Sequence, residues 1–351
     1  MIGGLRRGSG DLIRRWNIPD GRAIGRDPDE FLRLLAGPTW ICLNGQDASR
    51  TRAVTTLLHG NEPSGTRALH RFLLSEQQPA THVMALVASV EAALTPPGFA
   101  HRMLPGRKDL NRCFADAGTD PDAGLARAIL ADLRAARPEA LVDLHNTSGF
   151  GPWYGVGTRA NADQLALVSL FSSYHVLTDI RLGTLMEAAE DDWPTVTIEC
   201  GGAQDPRSDK TAYTGLTRYL CAPMLFGAPE AGSAISVLRH PIRVRLADGA
   251  AVAYGSEPAN DAPLTLRRDI DRFNSSVLTE ADPIGWASSM EILTARDGHG
   301  VELRDELLTL REGRLHACRP LRLFMATTDA RIATEDCLFY AVFCKEADHA
   351  R

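Results

Sequence analysis

Apolar positions along this chain follow two alternating patterns. Ala53–Leu58, Val83–Ala88, Leu141–Leu144 and Thr195–Ile198 are short, nearly continuous apolar runs bounded by turn residues, the signature of strands buried on both faces. Between them the spacing becomes helical. Ala68, Leu69, Phe72 and Leu73 share one face of a helix predicted over Thr66–Leu74. Leu125, Ile129 and Leu133 recur at i, i+4 and i+8 over Asp122–Ala136, with Asp120-Pro121 as a start signal. Further helices are predicted over Asp29–Leu35 and Ala162–Tyr174, and Trp40–Leu43 is another short apolar piece. Strands alternating with helices predict an α/β sheet domain.

The pattern changes near residue 230. GAPEAGSA reads as a linker, and beyond it lie short β-like pieces such as Ile235–Leu238, Ile242–Leu246 and Cys337–Phe343. Pro, Gly and Asp punctuate them and helical periodicity is weak. The expected organisation is an N-terminal extension (1–50) packed on a catalytic domain (51–230), followed by a smaller β-rich C-terminal domain (231–351).

Composition narrows the function classes. With 44% apolar and 23% charged residues, the chain can bury a sizeable core, which excludes long-range disorder. The balance of 38 basic against 44 acidic residues, net −6, argues against a general nucleic-acid or anionic-membrane binder. No apolar run is long enough to span a membrane, and the N-terminus has no apolar signal core. Seven cysteines, an odd number with no C-x-x-C spacing, do not make a disulfide scaffold, so a cytoplasmic location is expected. Lys108, Lys210 and Lys345 are the only lysines, which leaves 38 − 3 = 35 arginines. Codon bias in a high-GC genome accounts for most of that excess. The chemical question is whether a few arginines act as carboxylate clamps, the task for which a guanidinium is best shaped.

Three predicted strand ends carry residues of the kinds zinc uses: His59-Gly60-Asn61-Glu62, Asp143-Leu144-His145-Asn146-Thr147 and Glu199-Cys200-Gly201-Gly202. Open α/β sheets place their ligands at such junctions. H-x-x-E alone recurs by chance, and a lone histidine at a strand end is more often a cap or a core residue. The convergence of three strand ends is what points to a site. A hydrolytic zinc site needs three protein ligands and an open position, and a further carboxylate can serve as base.

The segments LLHGNEPSG, GRKDLNRCF, LVDLHNTSG and TVTIECGG, in this order across roughly residues 50–225, resemble the succinylglutamate desuccinylase/aspartoacylase family of zinc amidohydrolases. The resemblance implies a zinc-carboxypeptidase-like mixed sheet flanked by helices and one zinc per chain. By that resemblance His59 and Glu62 match the H-x-x-E ligands, and His145 matches the third. Glu199 matches the general acid/base. Asn111 and Arg112 match the pair holding a substrate carboxylate. Arg102 best matches the arginine that polarises the scissile carbonyl, and Arg107 competes for that role because it lies closer to the motif. Asp143 is either a partner for a metal-bound His145 or a strand-end cap.

The implied activity is removal of an acyl group from a small N-acylated amino acid or amine. A metallocarboxypeptidase on short peptides and a non-catalytic zinc-binding protein stay open, and so does a homo-oligomer. Two features depart from the family pattern. Ser89-Val90 stands where Asn-Pro is usual. The stretch before Glu199, GTLMEAAEDDWP, is acidic, with Arg181 as its nearest arginine, which puts an acidic acyl substrate in doubt. The last stretch, CLFYAVFCKEADHAR, is similar to the aspartoacylase C-terminal segment through Tyr340, Val342, Phe343, Glu346 and Ala347, with His349 where a site tyrosine is usual.

Overall fold

The computed structural model describes residues 5–6, 12–17, 24–227 and 235–344. From Ala228 onward the expected linker lies outside the described residues, and so do Glu346, Ala347 and His349. The chain divides into two compact units. One comprises Met1–Asn146, Trp153–His175 and Arg181–Val237, and the other comprises Thr147–Pro152, Val176–Ile180 and Leu238–Arg351.

A mixed sheet organises the first unit. Its strands in chain order are β1 (Leu5–Arg6), β2 (Arg14–Asn17), β3 (Thr39–Leu43), β4 (Asp47–Thr56), β5 (Thr81–Val87), β6 (Leu141–Thr147), β7 (Tyr154–Gly157), β8 (Tyr174–Leu177), β9 (Thr195–Gly202) and β10 (Ser236–Arg239). Across the sheet the order is β1-β2-β3-β5-β4-β6-β9-β7-β8-β10. β4 runs parallel to both β5 and β6, whereas β3 is antiparallel to β5 and β7 is antiparallel to β9. The helices are α1 (Pro28–Leu35), α2 (Ser64–Leu74), α3 (Val90–Leu94), α4 (Pro121–Ala136), α5 (Ala162–Ser169), α6 (Leu185–Ala189) and α7 (Pro206–Cys221).

The period of two along the strands explains why two cores form. On β5, Val83, Ala85 and Val87 enter one core while Met84 and Leu86 enter the other. Ile41 and Val142 follow the first set, and Trp40 and Leu141 follow the second. Both faces are therefore apolar, which is why these strands read as continuous runs. Phe31 of α1, Leu69 and Phe72 of α2, Leu167 of α5 and Leu216 of α7 cover the first face. Ile129 and Leu133 of α4 and Leu185 of α6 cover the second.

Caps fix the helix starts. Asp120 accepts from the backbone N–H of Asp122 and Ala123, with Pro121 in the first turn of α4. α7 begins likewise, at Asp205-Pro206, and was not anticipated from the sequence. The helix expected over 162–174 stops at Ser169. The Ser172 hydroxyl donates to the Trp153 carbonyl and accepts the Tyr174 N–H, which turns the chain into β8.

The second unit is β-rich. Its strands are β11 (Ile242–Leu246), β12 (Val252–Gly255), β13 (Leu264–Arg267), β14 (Val277–Leu278), β15 (Pro283–Ala287), β16 (Leu293–Arg296), β17 (Leu308–Arg311), β18 (Arg314–Ala317), β19 (Leu321–Phe324) and β20 (Phe339–Phe343). They form two five-stranded sheets, β14-β19-β20-β11-β16 and β12-β13-β15-β18-β17. Val244, Leu266, Ile284, Leu315 and Phe339 are among the buried residues of its core. No helix among the described residues is long and apolar enough to cross a membrane.

Candidate metal centre

β4, β6 and β9 are neighbours in the first unit's sheet, so the three strand ends singled out in the sequence are adjacent. The chain leaves β4 at Thr56 and turns through Leu57–Glu62 into α2. Gly60 is required here. A Cβ at this position would lie 2.6 Å from the His101 carbonyl oxygen and 2.8 Å from the Ala93 nitrogen, too close for any side chain. The Gly60 N–H donates to the Arg102 carbonyl at 2.9 Å, which joins the loop bearing His59 to the loop bearing Arg102.

His59, Glu62 and His145 converge. Their ligand atoms all lie within 4.8 Å of one another, and all three side chains are buried. Glu62 Oε1 is 2.8 Å from His59 Nδ1, and Glu62 Oε2 is 2.7 Å from His145 Nδ1. Each imidazole is held from behind by a carboxylate. Asp109 Oδ1 lies 2.9 Å from His59 Nε2, and Asp143 Oδ2 lies 2.7 Å from His145 Nε2. Asp143 in turn accepts from the Thr55 hydroxyl at 2.5 Å. A carboxylate on the outer nitrogen orients the ring, so that with a metal present the inner nitrogen could offer its lone pair. Of the two readings of Asp143, the geometry matches the histidine partner.

Charge follows this geometry. Burial opposes ionisation of Glu62, yet the adjacent His59 and His145 hold its carboxyl well below the usual range. Burial likewise disfavours a charged His145, but Asp143 and Glu62 push its pKa well above the ordinary value. Both shifts record carboxylates and imidazoles in close buried contact, each favouring the charged form of the other.

Of the two candidate arginines, Arg102 reaches the cluster. Its Nε and Nη2 donate to Asp109 Oδ2 at 3.0 and 2.8 Å, and its Nη1 lies 3.5 Å from Glu62 Oε1. Arg107, expected beside the substrate, is held elsewhere. It makes a forked ion pair with Asp122 in the first turn of α4, its Nη2 donating to Asp122 Oδ1 at 2.6 Å. The helix start favours the Asp122 carboxylate, and that carboxylate holds the guanidinium in a charge-assisted fork. Lys108 is also turned away, bridging Asp116 and Asp120 at 2.7 and 2.8 Å.

Asn111 and Arg112 lie in the single 3-10 turn capped by Asp109. Asn111 Oδ1 accepts from the Leu185 N–H at 3.0 Å, and Arg112 Nη1 donates to the Asn111 carbonyl at 3.0 Å. Glu199 sits on β9, buried, and among the described residues its Oε2 has no hydrogen-bond partner. Burial raises its pKa to about 7. His145 and Arg102 pull the other way, and Glu62 adds to the rise. His349 lies outside the described residues.

Two residues of this centre were passed over in the sequence. Asp109 stands in GRKDLNRCF, where a carboxylate close to arginines is itself a signal. Asn146 follows His145 directly, and its backbone N–H donates to Glu62 Oε2 at 3.2 Å.

Neither a protein-family model nor a curated protein matches the sequence. Solved structures do match. The crystal structure of a succinylglutamate desuccinylase/aspartoacylase from Rhodobacter sphaeroides superposes with a TM-score of 0.55 at 16% identity, covering 87% of this chain and 88% of that one. The chain has the succinylglutamate desuccinylase/aspartoacylase fold. Murine aminoacylase 3 is similar too, with a TM-score of 0.52 at 16% identity over 85% of this chain and 96% of that one. So is the product-bound ectoine utilization protein of Ruegeria pomeroyi, with a TM-score of 0.50 at 16% identity over 81% of each chain.

Proposed function

We propose that this protein is a zinc-dependent amidohydrolase that removes an acyl group from a small N-acylated amino acid or amine. The observation that carries the reading is one buried carboxyl beside, but outside, a two-histidine, one-carboxylate cluster. Glu62 is committed to both imidazoles, whereas Glu199 Oε2 has no hydrogen-bond partner among the described residues. Two nitrogens and one carboxylate suit zinc and leave one coordination position open. When bound, zinc would make water acidic enough to ionise near neutral pH and would polarise a carbonyl.

The side chains then divide the work. Glu199, with a pKa near the operating range, accepts a proton from water and returns it to the departing amine nitrogen. Arg102, steadied by Asp109, offers a fixed positive charge to the developing oxyanion. Arg112, beside Asn111, is the cation available for a product α-carboxylate. The fold shared with structures named as desuccinylase, aspartoacylase and aminoacylase supports linear amides as the substrate class.

The test is a panel of N-acetyl, N-formyl and N-succinyl amino acids, run beside blocked dipeptides with the zinc-loaded protein. Acyl release from at least one N-acyl amino acid is expected. Preference for dipeptides would favour a carboxypeptidase. Zinc binding without any turnover would favour a non-catalytic protein. Glu199→Gln should keep its zinc and lose kcat by about 10²–10⁴-fold, the usual weight of a general acid/base.

A further inference from the structure

We propose that Asn146 is a positioning residue that locks together the three chain segments carrying the metal ligands and Glu199. This rests on the assignment of Glu62 as a ligand and Glu199 as acid/base. Asn146 is buried at the end of β6, next to His145. Its Oδ1 accepts from the Ser64 N–H at 3.0 Å, at the start of α2, two residues past Glu62. Its Nδ2 donates to the Ser64 hydroxyl at 3.0 Å and to the Gly201 carbonyl at 2.9 Å. Gly201 lies on β9, two residues past Glu199. The Asn146 backbone N–H donates to Glu62 Oε2 itself.

A primary amide has two donors and one carbonyl acceptor, and here the acceptor and one donor meet Ser64 at the start of α2 while the other donor meets Gly201 on β9. No other side-chain type of this size offers that pattern. Aspartate has no donors, and leucine has neither function. The lock continues outward, because the Ser64 hydroxyl donates to Asp209 Oδ1 on α7 at 2.6 Å, and Arg67 holds Asp209 Oδ2 at 3.1 Å. Asn146, Ser64 and Asp209 therefore form one chain from α7 to the carboxylate of Glu62.

The consequence is specific. Loosening this chain should let Glu62 drift from the two imidazoles and Glu199 drift relative to all three ligands. Partners of metal ligands typically change metal affinity by about 10–100-fold when removed. A residue that only stabilises the fold would lower the unfolding midpoint and leave both metal affinity and kcat unchanged.

The experiment measures zinc affinity by competition with a chromophoric chelator, and kcat and KM at saturating zinc. It uses the full chain and compares wild type with Asn146→Ala, Asn146→Asp and Ser64→Ala. Asn146→Ala should weaken zinc about 10–100-fold and lower kcat at saturating zinc with little change in KM. Asn146→Asp keeps the acceptor for Ser64 N–H but places an oxygen against the Gly201 carbonyl. It should lower kcat at least tenfold even though its added negative charge favours a cation. Ser64→Ala removes the hydroxyl that joins Asn146 Nδ2 to Asp209 but keeps the Ser64 N–H and Gly201 contacts of Asn146, and should give a smaller loss in the same direction. If Asn146→Ala does not fold, the other two variants decide. Wild-type zinc affinity and kcat in Ser64→Ala and Asn146→Asp, whatever their unfolding midpoints, would overturn the proposal. The zinc readout needs no substrate, so failure of the hydrolase reading would appear separately, as absent turnover in wild type.

Discussion

Asp109→Asn is the most informative single change outside the proposed ligands, because Asp109 serves three partners with two oxygens. Oδ1 takes His59 Nε2 and the Asn111 N–H, both at 2.9 Å, and Oδ2 takes Arg102 Nε and Nη2. An asparagine fits the space but not the donors. With its NH2 toward Arg102 it meets two N–H groups. With its NH2 toward His59 it leaves the Asn111 N–H without an acceptor. Hydrogen bonds to charged groups are worth about 1.5–3 kcal/mol each. The Arg102 side chain is 32% exposed, so water recovers part of the loss. A net cost of about 1.5–3 kcal/mol in transition-state stabilisation remains, which is about 10–100-fold in kcat/KM at 1.36 kcal/mol per decade. Zinc affinity should fall over a similar range through the loosened His59 ring. The assays are kcat/KM on a hydrolysed N-acyl amino acid and zinc competition with a chelator. Zinc affinity within twofold and kcat/KM within threefold of wild type would refute the idea that Asp109 orients His59 and Arg102.

The acid limb of the kcat/KM profile should belong to Glu199. Its pKa is raised to about 7 by burial in the metal-free chain, and a nearby metal cation lowers it. The acid limb of the loaded enzyme should therefore lie below pH 7, and an acid limb that persists unchanged in the residual activity of Glu199→Gln would contradict the assignment. For the metal-free chain the raised pKa favours the protonated folded form, so stability should decline as pH rises from about 4.5 through 7, read by urea midpoints. Arg102→Lys should lower kcat/KM at least tenfold, because a lysine cannot make the fork to Asp109. Arg107→Ala should leave kcat/KM within about threefold and cost roughly 1 kcal/mol of stability through Asp122, and steady-state kinetics separate the pair. Gly60→Ala should destabilise the fold by about 1–3 kcal/mol, because the new methyl meets backbone atoms, and a denaturant midpoint equal to wild type would contradict that.

How much of this was legible depended on whether the signal was local. Strands buried on both faces announce themselves as apolar runs, so β5, β6 and β9 were readable. α4 was readable because Asp120-Pro121 marks its start. α7 was not, although Asp205-Pro206 is the same signal, because the next residues, RSDKT, carry no apolar position and Gly215, which packs against Phe171, interrupts the pattern. The end of α5 was misplaced because the Ser172 hydroxyl turns the chain through contacts distant in sequence. The clustering of His59, Glu62 and His145 could be read because each follows a buried apolar run, and those strands are neighbours in the sheet. The choice between Arg102 and Arg107 could not be read, since it depends on which arginine Asp122 captures. The roles of Asp109 and Asn146 were hidden for the same reason, because their partners lie on other loops. Of the arginine excess, Arg52 has a structural explanation. It is fully buried, with Nε donating to Glu139 Oε1 and Nη1 to the Tyr219 carbonyl.

The central claim is that His59, Glu62 and His145 hold one metal on which acyl removal depends. Its most direct test is to strip the protein with a chelator and return zinc in steps while following acyl release from a substrate found in the panel. The account predicts no turnover in the stripped protein and a linear rise that saturates at one equivalent per chain. Full turnover after metal removal, or a rise that ignores His59→Ala, would contradict it.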